Sequence, residues 1–143
     1  MNDIASLNPL AQRVRAILIA EHPQWADCFG FCGENDLEVA IPAPLGSKAG
    51  HLTIFTSRGE DLWIRFSPPY MCYSVENETE LLAVVRQLQE ETALFVVTMC
   101  GDKWVKTTLI ERNGQPQLEQ NQAAHVVSWS GKFDRIIKEN ISV

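Results

Sequence analysis

The chain has 143 residues, of which 45% are hydrophobic and 21% charged, with a formal net charge of −6. That composition is globular rather than disordered, and its length suits one domain spanning residues 1–143. The apolar runs 16–20 and 94–97 are far shorter than the ~18 residues a membrane-spanning helix requires. The opening Met1-Asn2-Asp3-Ile4 has neither the basic flank nor the apolar core of a secretory leader, so a cytoplasmic protein is expected.

Asn8 followed by Pro9 forms a helix start, and Leu10, Val14, Ile17 and Leu18 recur at helical spacing. The pattern predicts a helix to about Glu21, ended by His22-Pro23 because a proline disfavours helical geometry in the residue before it. Four β-type runs follow, at 28–32, 37–41, 51–56 and 62–66. The turns 33–36 and 57–60 between them are short enough for hairpins, whereas 42–50 reads as a longer, mobile loop. Ser67-Pro68-Pro69-Tyr70 stops the last run, since proline cannot donate to a sheet ladder.

A second helix is expected from Asn77, whose pairing with Glu80 three residues on is an N-capping signal. Leu81, Leu82, Val84, Val85 and Leu88 would form its buried side, with Glu78, Glu80, Gln87 and Glu90 facing water. Runs at 94–99, 103–110 and 125–129 predict three more strands, and residues 115–122 read as an exposed loop. Residues 131–137 are compatible with a short helix or a strand. The order and the short connections give an α+β fold: an antiparallel sheet of about six or seven strands, two main helices on one face, the other face solvated or covered by a partner.

Motifs for catalysis are wanting. There is no Gly-x-Ser-x-Gly elbow and no phosphate-cradling glycine loop, so neither an enzyme nor a nucleotide cofactor is indicated. Cys28, Cys32, Cys72 and Cys100 read as buried reduced thiols, since Cys28-x3-Cys32 has no second ligand pair for zinc and His22, His51 and His125 are scattered. Cys72 is the most exposed thiol in prospect for nucleophilic chemistry, but nothing around it in sequence supplies an activated thiolate.

Charge and aromatic placement carry more information. Residues 16–91 hold twelve acids against four bases, while each flank is about +1. Such a middle repels nucleic-acid phosphates and favours encounter with a basic protein surface. Phe29, Phe31, Phe55, Phe66, Phe95 and Trp104 fit strand positions in a core. In the run 62–66, parity sets Trp63 and Arg65 on the face opposite Leu62, Ile64 and Phe66. Trp and Arg beside Glu60 and Asp61 make a composition typical of binding hot spots.

The layout of a helix, then Leu37-Glu38-Val39-Ala40-Ile41-Pro42, a loop, Leu52-Thr53-Ile54-Phe55-Thr56, Leu62-Trp63-Ile64-Arg65-Phe66 and a Pro-Tyr-x-x-Tyr turn into an acidic helix resembles bacterial immunity proteins, over about residues 36–110. These are the cognate inhibitors of polymorphic or contact-dependent growth-inhibition toxins. The resemblance implies a non-enzymatic cytoplasmic protein without a cofactor, which neutralises a toxin domain, often a basic nuclease, by occluding its active site. The expected interface, resting on charge and position, comprises Glu34, Asp36, Glu60, Asp61, Trp63, Tyr70, Tyr73, Glu76 and Glu78. A chaperone or adaptor for a secreted protein is the alternative, and a small enzyme with a dispersed site is a third reading.

Overall fold

The computed structural model describes residues 4–67 and 72–138. After a short 3-10 helix at Ile4–Ser6, α1 spans Pro9–Glu21, with Asn8 as its cap: the Asn8 side chain accepts from the Ala11 amide at 2.9 Å. A second 3-10 helix, Pro23–Cys28, follows. The strands are β1 Phe29–Cys32, β2 Asp36–Pro42, β3 His51–Ser57, β4 Asp61–Phe66 and β5 Tyr73–Val75; then come α2 Glu78–Glu90, β6 Ala93–Cys100, β7 Lys103–Glu111, β8 Gln122–Val127 and β9 Arg135–Lys138. No helix among the described residues is long and apolar enough to cross a membrane.

The expected single sheet is corrected to two. Strands β1 to β5 form a five-stranded antiparallel meander, and a separate four-stranded antiparallel sheet has the order β7-β6-β8-β9. The strand missed in sequence is β5, three residues whose brevity hides any alternation. It caps the first sheet by pairing Ile64 with Tyr73 and Leu62 with Val75. After it the chain enters α2, and β6 then starts a new sheet. The ambiguous stretch ends as β9, β8 begins three residues earlier than its apolar run suggested, and Cys28 belongs to the 3-10 helix rather than to β1.

Cross-strand register explains how the first sheet divides its faces. Val39 pairs with Ile54 and Ile54 with Ile64, Leu52 with Phe66, and Leu37 with Phe31, so all of these share one face. Leu10, Ala11, Val14 and Leu18 of α1 and Leu81, Val84, Val85 and Leu88 of α2 are buried in the same cluster. The second sheet joins this core through Phe95, whose ring meets Phe66 edge-on at 5.0 Å and Tyr73 at 5.8 Å. Its other face forms a smaller core of Leu94, Val96, Ala124 and Val126, covered in part by Leu118 and Phe133. Hence β6 is buried on both sides from Ala93 to Thr98, and the 115–122 loop, expected to be exposed, contributes Leu118 to this cover.

The 42–50 loop, expected to be mobile, is pinned. Ala49 is buried, its carbonyl accepts from the Ser67 amide at 2.8 Å, and Ser47 Oγ donates to the Trp129 carbonyl at 2.8 Å. The cysteines also differ from expectation: all four are free, Cys28, Cys32 and Cys72 are only partly buried, and Cys100 is exposed.

Asp36 ties the first half of the chain together. Its carboxylate accepts from Asn8 Nδ2 (2.8 Å), Thr56 Oγ1 (2.8 Å), the Arg58 amide (3.0 Å) and the Gly59 amide (3.2 Å). Arg58 and Gly59 both have positive φ, a turn geometry that aims successive N–H groups at one anion. Burial pushes the Asp36 carboxyl up, but the bonds from Asn8, Thr56, Gly59 and Arg58 outweigh it and leave its pKa below the usual carboxylate range. A depressed pKa means that the stabilisation is complete above the unfolded value of about 3.9 and is lost as pH falls through the folded one. Asp36→Asn should therefore cost about 1.5–3 kcal/mol at neutral pH in urea unfolding, with the gap to wild type closing in acid below roughly pH 4.

Candidate protein-binding face

The face of the first sheet that points away from α1 and α2 carries Glu38, Ala40, Thr53, Phe55, Trp63 and Arg65, as the pairs Glu38–Phe55, Phe55–Trp63 and Thr53–Arg65 require. Parity alone set Trp63 and Arg65 on this face, and the structure has them there. Phe55 departs from its expected place in the core: it lies half-buried on the open face, because its neighbours Ile54 and Thr56 take the inward positions.

These side chains form a small ordered platform. The Phe55 and Trp63 rings stack with centroids 6.5 Å apart and an interplanar angle of 17°. The Arg65 guanidinium lies 5.5 Å from the Phe55 ring centroid, a cation–π contact that holds the cation over the aromatic surface. Arg65 Nε is buried without a hydrogen-bond partner among the described residues. Thr53, beneath this layer, is buried.

Acidic side chains gather at one end of the same sheet. Cys32 pairs with Asp36 beside the β1–β2 turn that holds Glu34, and Ser57 pairs with Asp61 beside the β3–β4 turn that holds Glu60. Asp36 bonds directly to that second turn, so the two turns are adjacent. Because Leu62 pairs with Val75, Glu76 continues next to Asp61, and Glu78 opens α2 just beyond. Three stretches distant in sequence thus converge. Glu34, Glu60 and Glu76 are exposed and Asp61 is half-buried.

Not every residue expected at the interface is free to serve there. Asp36 has its carboxylate engaged by four donors of its own chain. Glu78 accepts from Arg13 Nε at 2.8 Å, joining α2 to α1, and that hydrogen bond holds its pKa below the usual value. Tyr73 turns to the opposite face from Trp63, against Phe95, and burial pushes its phenol up. Tyr73 is thus removed from the platform by register: it pairs with Ile64, an inward residue. Tyr70 lies outside the described residues.

Burial also pushes the Cys72 thiol up, against a smaller opposing influence of Arg65, the reverse of what an activated thiolate requires. Among the described residues no group of three or more His, Cys, Asp and Glu side chains is gathered to hold a metal.

Sequence reading also missed exposed apolar residues on the second sheet. Trp104, expected in the core, is 45% exposed, and Ile136 is 62% exposed. Met99 pairs with Trp104, and Val97 with His125, which pairs with Ile136, so one face of the second sheet presents both residues at its two edges. The β6–β7 bulge between Thr98 and Met99 turns Trp104 onto this face, and the unbroken run 103–110 gave no sign of it in sequence. No protein-family model matches the chain, and no curated protein and no solved structure is found similar to it.

Proposed function

We propose that this protein is an inhibitor of the immunity type, which binds a basic toxin domain and neutralises it by covering its active site. The observation that carries the reading is the stacked Phe55–Trp63 platform with Arg65, half-buried on the sheet face opposite the helices and bordered by the converged acidic turns. A rigid aromatic–arginine centre with a charged rim has the anatomy of a protein-binding hot spot. Glu34, Glu60, Asp61 and Glu76 would steer a basic partner, and Phe55 and Trp63 would anchor it once water is displaced. Occlusion requires no catalytic group on this chain and no cofactor.

The alternative, a chaperone or adaptor for a secreted protein, draws support from a different feature, the exposed Trp104 and Ile136 on the second sheet. An apolar sheet surface of that kind suits an extended client segment rather than a folded toxin domain.

Co-purification from a native lysate, followed by a toxicity assay of the captured partner with and without this protein, separates these readings. A stoichiometric partner whose toxicity is neutralised is expected; a secreted but harmless partner would favour the chaperone. Against that partner, Trp63→Ala should weaken binding by about 30-fold, corresponding to a hot-spot loss of about 2 kcal/mol, with the fold intact because Trp63 is outside the core. Glu60→Lys with Asp61→Lys should slow association at low ionic strength, and the difference should shrink as salt is raised. An association rate indifferent to this reversal at low salt would remove the acidic turns from the interface.

A further inference from the structure

We propose that two copies of this chain pair through β7, antiparallel and related by a two-fold axis, to give a dimer with one continuous sheet of eight strands. The inference is independent of the toxin reading and rests on the second sheet. Its order leaves β7 with β6 as its only strand neighbour, so its other edge presents backbone groups that no described strand satisfies. Of the sheet edges, β1 and β9 have four residues each and β5 three, whereas β7 has nine. An edge of that length with no described strand beside it, rich in aromatic and β-branched residues, is a template for another strand.

Side chains on the strand support the pairing and set its direction. Trp104 and Val105 are 45% and 42% exposed, and the Trp104 ring is already fixed by its Nε1 donating to Thr107 Oγ1 at 3.0 Å. Lysines and bulges are devices that keep sheet edges apart, and β7 has both. Here, however, Lys103 and Lys106 occupy the first half of the strand and Glu111 its last position, while residues 106–111 stay in regular register with β6. A parallel partner would set lysines against lysines. An antiparallel one sets the lysine half of each strand against the half that ends in Glu111, twice over by symmetry.

A second copy is therefore the occupant that this edge fits. The test is the mass of the full-length protein by light scattering or sedimentation equilibrium, with twice the 16.1 kDa chain mass expected at roughly 100 μM. Lys103→Glu with Lys106→Glu should weaken the dimer about tenfold or more, and adding Glu111→Lys should restore it. Native-state hydrogen exchange on the unaltered chain gives a second measurement that no substitution can confound: protection of the alternate amides within 107–110 that point away from β6 should rise with protein concentration. A wild-type monomer at that concentration, a dimer indifferent to the lysine reversal, failure of the third change to rescue it, or concentration-independent protection would each overturn the proposal.

Discussion

One carboxylate organises the half of the molecule that carries the candidate interface. Asp36 begins β2, yet its four donors come from the cap residue of α1, from β3 and from both left-handed residues of the β3–β4 turn. Charge-assisted bonds are stronger than neutral ones, and here they fix three separate parts of the chain against the same group. Thr56, which donates to Asp36, also accepts from the Leu37 amide at 3.0 Å, closing the cluster. The attachment of the α1 N-terminus to the sheet and the proximity of the two acidic turns both follow from this arrangement. Glu34 and Glu60 come together because Asp36 holds the turns that bear them.

With that end fixed, the sheet can spend only one of its faces on the core. Leu37, Val39, Ile54 and Ile64 fill it under α1 and α2, and the strand period of two then sends Glu38, Phe55, Trp63 and Arg65 outward without exception. The parts of these two large rings and of the guanidinium that remain exposed carry a hydration cost that stacking and the cation–π contact offset only in part. A partner that covered them would recover the remainder. The second sheet solves its packing differently: β6 is sandwiched, and the exposed apolar residues lie at the sheet's edges, on β7 and β9. The protein thus presents an acidic, aromatic surface on one sheet and a lysine-flanked strand edge on the other, physically suited to different contacts.

Much of the local structure was determined by the sequence itself. Asn8-Pro9 and Asn77 with Glu80 set the helix starts because caps act within one turn, and the parity of Leu62 to Phe66 assigned Trp63 and Arg65 to the open face because a strand has no other way to alternate. The tertiary structure alone decided what depends on which distant strand is the neighbour. The division into two sheets, the inward turn of Tyr73 through its pairing with Ile64, the engagement of Asp36 and Glu78 by residues remote in sequence, and the face that a bulge gives Trp104 are all of this kind. Periodicity reports which residues share a face but not what that face meets, since the meeting is settled by contacts tens of residues apart.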